Sequence, residues 1–471
     1  MTVRDTQTRE DTSRLEGSVL STSVGSPEAS VSKRLTQTRR ERIIRALLPT
    51  EAGGAGEIRA LDGVRAIAAL SIVIFHTLLY KHVEYLPASQ AVNSVWYYLS
   101  MGVQLFFVLS GFLLFRPYAR AILSGVALPS WARFYQRRAL RILPVYWVAL
   151  AVMFAAQWTT ANQPLWLNAL AHITLTHDSF PRFNRDLDGP FWTLAVEVQF
   201  YLLLPVIAAG VAWLMRGSRS AARLIGALLG LIALAEVVRW LDTLLMASVT
   251  PNALAHGGSE AARFVLALAT MGMQGKNLEV FFVGALCATV YVIATEREAL
   301  ARHTQRRAAR WLLGLGAVLS VAAAPAWELG AAMFTPGAHW GLRIITYPLV
   351  VGFSFGLVTL GVVWGGPLVR GIFTAAPLRF VGLISYSMYV WHLPILHGDL
   401  ALFAHMPVWL RLVCVLVVSY LSYQLLERPF LRRRQRLHKS APERPQARSA
   451  ATSRWSSSRL RIERPDLTRR N

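Results

Sequence analysis

Apolar runs of about 16–24 residues alternate with short polar links from residue 62 to residue 427. A bilayer core is about 30 Å thick and needs about 20 helical residues to cross it. The runs fall at 62–80, 95–115, 142–157, 191–214, 222–240, 275–294, 311–326, 341–364, 380–397 and 408–427. They predict an all-α polytopic membrane protein with ten transmembrane helices. The stretch 241–274, with its apolar "AARFVLALATMGM", is the weak point and reads as interfacial or half-inserted.

The links sort by charge. The link 116–141 has six arginines and no acid, 215–223 has three arginines, and 365–379 has Arg370 and Arg379. The link 295–310 has five arginines against two glutamates. The alternate links are poor in cations: Lys81 with Glu84, two arginines against three aspartates in 158–190, then Glu328 alone and Asp399 alone. Arg and Lys mark cytoplasmic loops. The alternation therefore puts both termini in the cytoplasm and the chain in the inner (cytoplasmic) membrane.

Composition agrees. The 471 residues are 54% hydrophobic and 16% charged, against a quarter charged in soluble domains. The net charge of +23 is a topology signal plus attraction to anionic lipid, not a nucleic-acid footprint. Cys287 and Cys414 both lie in apolar runs, so no disulfide framework or Cys-rich metal site is expected. Three parts result. Residues 1–57 form a polar tail, read as disordered, with an interfacial basic helix at 39–49. Residues 58–430 form the membrane domain. Residues 431–471, with thirteen Arg/Lys against three acids, form a disordered basic cytoplasmic arm.

The first run, "RALDGVRAIAALSIVIFHT", carries Arg65 and His76. Eleven residues turn a helix three times plus roughly 20° and raise it about 16 Å, so the two share a face, with Asp62 on it. An ionisable group at membrane depth is expensive and faces a protein interior or a wet cavity. Once directions are set, His76, Glu197 and His392 fall in the outer half of the membrane, within about one helical turn of one another. They form a candidate site for acid–base chemistry. Arg138 and Arg141, three apart in "RFYQRRALRILP", project from one face at the inner boundary near Arg65. Guanidinium forks of this kind suit phosphate. His172, His177 and Asp178 in "AHITLTHDSF" lack the His–Asp spacing of soluble glycerolipid-type acyltransferases and read as a non-catalytic outer-surface segment.

These residues occur in a set of motifs. In order they are "LDGVRAIAALSIVIFH", "GVQLFFVLSGFLL", "RFYQRRALRILPVYW", "FWTLAVEVQFYLLLP", "ISYSMYVWHLPI" and "ERPF". Together they resemble the acyltransferase-3 family of integral-membrane O-acyltransferases, which includes bacterial surface-glycan acetylases and macrolide acyltransferases. The resemblance implies transfer of an acyl group, usually acetyl from acetyl-CoA, to a hydroxyl. The family's essential Arg-x10-His pair falls on Arg65 and His76, its Arg-x-x-Arg on Arg138 and Arg141, and its acidic position on Glu197. Thr193 stands where relatives have Ser, and Val198 replaces a second Glu.

The expected mechanism follows. Arg138, Arg141 and Arg65 hold acyl-CoA as a co-substrate. His76 acts as general base or is itself acylated, the base route being preferred. Glu197 orients the imidazole and His392 assists. No metal and no tightly bound cofactor are expected. The acceptor is a hydroxyl of an envelope glycan, a lipid-linked sugar or a macrolide-like molecule. The rival reading is a proton-coupled transporter that uses the same His and Glu groups as a relay.

Overall fold

The computed structural model describes residues 58–82, 98–157, 165–179, 190–255, 277–331 and 340–439. The interfacial helix at 39–49, the apolar stretch around 261–273 and both distal tails lie outside these residues. The chain divides into two units, Met1–Gly54 and Ala55–Asn471, and all that follows concerns the second.

Every regular element among the described residues is helical. The elements are α1 (Ala60–His82), α2 (Gly102–Ser124), α3 (Trp131–Gln157), α4 (Leu165–Ile173), α5 (Phe191–Met215), α6 (Ala221–Ala255), α7 (Leu278–Tyr291), α8 (Arg302–Ala331), α9 (Trp340–Val363), α10 (Pro367–Phe373), α11 (Ala376–His397), α12 (Val408–Ser422) and α13 (Arg428–Lys439). Each of the ten predicted runs carries one of these helices. Seven described helices are long and apolar enough to cross a bilayer. An eighth results if Pro348–Val363 and Pro367–Phe373, bent by 109°, form one broken span. α8 and α11 are not among them. In α11, from Gly382 to Leu396, only Tyr386 is less than buried, so protein rather than lipid surrounds it and polar residues are tolerated there. The outer helices do the opposite. Trp213, Leu234, Trp311 and Val321 are exposed apolar side chains, a surface that suits hydrocarbon and not water.

Contacts fix the relative directions. α1 and α11 run parallel, with Asp62 facing Arg379 at one end and His76 meeting His392 at the other. α2 and α5 run parallel to each other: Phe106 and Thr193 both reach Tyr389, and Ser110 reaches Glu197. α3 opposes α5, because Tyr135 binds Leu202 while Tyr146 packs on Phe191. These relations match the alternation of directions expected from the links.

Glycine sets the closest approaches. A Cβ on Gly111 would strike the carbonyl of Phe281, and one on Gly284 would strike that of Val108, so α2 and α7 touch backbone to backbone. Two wide π turns, Val292–Glu296 and Tyr423–Glu427, end α7 and α12. The second falls just before Pro429, which has no amide to give, and the helix resumes as α13. The chain is therefore helical to Lys439, nine residues past the boundary expected at 430, where a disordered arm was expected.

Candidate active site

The site is built at the end of α1 and α11 away from Asp62. His76 Nδ1 lies 3.0 Å from the carbonyl of Ile72, one turn back on its own helix. A carbonyl only accepts, so Nδ1 carries the proton and Nε2 keeps its lone pair. His392 is fully buried. Its Nδ1 lies 2.7 Å from the carbonyl of Tyr389 and is likewise the protonated nitrogen. Its Nε2 faces His76 Nδ1 at 3.2 Å. The two imidazoles thus form a directed pair: His392 offers a lone pair to the N–H of His76, and His76 offers its own lone pair beyond.

His392 is held from behind. The ring of Tyr389 packs 5.6 Å from it. The Tyr389 hydroxyl donates to the carbonyl of Pro190 at 3.0 Å and meets the Thr193 hydroxyl. Thr193 thus supplies a hydroxyl at the position where the resemblance implies Ser.

Thr193, Glu197 and Tyr201 follow at four-residue spacing, so they share one face of α5 over about 12 Å. Glu197 accepts from Ser110 Oγ at 2.6 Å and from the Tyr201 hydroxyl. The Arg138 guanidinium sits 5.8 Å from the centre of the Tyr201 ring. The face links the histidine end to the arginine end. Tyr386 of α11 spans the same interior by donating to the carbonyl of Ile142 at 2.7 Å.

Of the expected trio, the structure joins His76 to His392 and sets Glu197 apart. Thr193 is level with Tyr389, His392 lies about 5 Å to one side and Glu197 about 6 Å to the other, roughly 10 Å between them. The described partner of the His76 ring on another helix is His392, and the described partners of Glu197 are Ser110 and Tyr201. Arg65 faces Asp62 at 3.7 Å, and Arg379 faces the same carboxylate at 3.5 Å. Arg65, Arg138 and Arg141 all lie toward the end opposite the histidines. Arg141, like Arg138, contributes to the electrostatic field at Tyr201.

Sequence reasoning missed several residues. Ser110, Tyr201, Tyr386, Tyr389 and Glu427 all sit within the quoted motifs, but nothing local distinguishes them from packing residues. Glu427 is buried and accepts from Ser387 at 3.2 Å. A second cluster carried a readable signal: Glu236, Arg239 and Glu279 are ionisable residues inside apolar runs. Arg239 and Glu279 form a buried ion pair between α6 and α7, which Asn277 joins at 3.2 Å.

In the segment with His172, His177 and Asp178 all three of these side chains are buried, while Ile173 and Thr174 between them are exposed. The two rings stack 4.1 Å apart, within 6° of parallel. Tyr146 donates to the His172 carbonyl at 2.7 Å and Gln199 to Asp178 at 2.9 Å. α4 packs His172 against Phe154 of α3 and leaves Trp166, Leu170 and Ile173 exposed on its other face. Burial pushes His172 down to about 4, and burial with the neighbouring imidazole pushes His177 to about 3.

The motif order on this helical frame decides the family. Residues 58–427 match the acyltransferase domain family. The chain belongs to that family. It is 22% identical over 406 residues to peptidoglycan O-acetyltransferase OatA of Listeria monocytogenes, covering 79% of this chain and 55% of that one. It is 26% identical over 182 residues to nodulation protein 10 of Rhizobium leguminosarum, covering 34% and 46%. Protein 2 in picA locus of Rhizobium radiobacter is 38% identical over 95 residues, covering 20% and 43%. The chain spans about half the length of the curated relatives it matches. No solved structure matches it.

Proposed function

We propose that this family member is a membrane-embedded O-acyltransferase that moves an acyl group, in the simplest case acetyl, from acyl-CoA to a hydroxyl of a cell-envelope carbohydrate. The observation that carries the reading is the directed His76–His392 pair. The name of the Listeria relative supports a glycan acceptor.

His76 Nε2 takes the proton of the acceptor hydroxyl as its oxygen attacks the thioester carbonyl. The resulting imidazolium shares its Nδ1–H between the Ile72 carbonyl and His392 Nε2, so His392 stabilises the cation. The tetrahedral adduct expels the thiolate, which recovers the proton from His76 Nε2. An ester and a free thiol result. The nucleotide end of the donor rests among Arg65, Arg138 and Arg141 on the cytoplasmic side. The Arg65–His76 rise of about 16 Å matches the reach of a pantetheine arm. Glu197, between Ser110 and Tyr201, balances the arginine charge along the passage.

The test is CoA release from acetyl-CoA by purified protein in detergent, wild type beside His76→Ala, with cell-envelope extract as acceptor. Release that needs both the extract and His76 supports the reading. Release that persists in His76→Ala removes His76 from the chemistry.

A further inference from the structure

Arg379 entered the sequence reading only as a charge on a link, yet the fold gives it a specific neighbour. Asp62 is 4% exposed and faces two guanidiniums at once, Arg65 from its own helix and Arg379 from α11. The side chains of Arg65 and Arg379 keep 20% and 27% of their surface exposed. The backbone beneath them has no slack. A Cβ on Gly382 would strike the Asp62 carbonyl, and one on Gly63 would strike the Phe373 carbonyl. α1, α10 and α11 therefore meet at closest approach under this cluster and present the two forks from a rigid base. Arg379 is thirteen residues, about 20 Å, from His392 along α11. The Arg65–His76 rise on α1 is about 16 Å.

We propose that Arg65 and Arg379, paired by Asp62, form a phosphate-binding site that grips the nucleotide end of the acyl donor, with Arg379 as its unrecognised member. This rests on the acyl-CoA reading above. Planar guanidinium forks bind phosphate oxygens bidentately. The carboxylate holds the two forks close despite their like charge. An anionic lipid headgroup offers the same phosphate chemistry, so the test separates the two sources.

The experiment is equilibrium binding of CoA and of 3′,5′-ADP to the full chain in phosphatidylcholine nanodiscs. Wild type is compared with Arg379→Gln, Arg379→Lys and Asp62→Asn, and with Arg432→Gln as a surface-charge control. The expected result is at least a tenfold weaker affinity in Arg379→Gln and partial rescue in Arg379→Lys. Asp62→Asn should weaken it by less than Arg379→Gln does, because both forks remain, and Arg432→Gln should change it less than threefold. Wild-type affinity in both Arg379 variants overturns the site. So does a loss in Asp62→Asn equal to that in Arg379→Gln, because Arg379 then only anchors Asp62. Repeating the titration with phosphatidylglycerol in the nanodiscs tests the lipid source. If that lipid displaces nucleotide from wild type but not from Arg379→Gln, the site belongs to a headgroup and the nucleotide assignment falls. Absence of binding by wild type itself defeats the acyl-CoA reading, a result distinct from intact binding in the Arg379 variants.

Discussion

His392 is the residue whose meaning changed most between sequence and structure. Near a membrane end, "WH" fits an interfacial anchor as well as a functional group. In the fold it is fully buried and its Nε2 points at His76. On the proposed mechanism it contributes the lone pair that it offers to the His76 cation. Replacing His392 by alanine should lower kcat about 100-fold, in the range of acid–base assistance, with KM for acetyl-CoA little changed. Initial rates across donor concentration check this. A matching rise in KM would instead place His392 in donor binding.

At the scale of elements, the buried Arg239–Glu279 pair joins α6 to α7. Removing one partner of a buried pair strands the other charge, which costs about 3–5 kcal/mol, whereas removing both is far milder. Arg239→Met should therefore lower the thermal midpoint in detergent sharply. The double variant Arg239→Met with Glu279→Gln should recover much of the loss. Equal losses in single and double variants would mean that the ion pair does not set the cost. The glycine contacts between α2 and α7 make a second element-level case. Gly284→Leu has to displace the backbone at Val108, so it should abolish a monodisperse folded species in size-exclusion chromatography.

At the scale of the whole molecule, the buried His172–His177 stack couples α4 to the bundle and makes its stability depend on pH. Both folded pKa values, about 4 and about 3, lie below the ordinary 6.5. The neutral rings fit the fold and the charged ones do not. Their contribution is fully present above pH 6.5 and is lost as pH falls through the window from 6.5 toward 4 and then 3. The thermal midpoint should drop across that window, and His177→Phe should flatten the slope. An unchanged slope in that variant would place the pH response elsewhere.

The apolar runs, the alternating directions of α1, α2, α3, α5 and α11, and the face shared by Arg65 and His76 were all legible in the sequence. Each depends on local hydrophobicity and on helical periodicity, which neighbouring residues fix. The pairing of ionisable groups was not legible. His76 and His392 lie 316 positions apart, and only the packing of α11 against α1 brings them together. Depth counting placed Glu197 beside them, but helices begin at different heights, and a shift of two turns is invisible to a count of residues. The burial of His172, His177 and Asp178 was hidden for a similar reason: their partners, Tyr146 and Gln199, lie on other helices. The sequence determined which segments are helical and how their directions alternate, because those follow from local hydrophobicity and from the charges of the links. The tertiary structure decided which polar groups on different helices meet, because only packing brings positions distant in the sequence within hydrogen-bond reach.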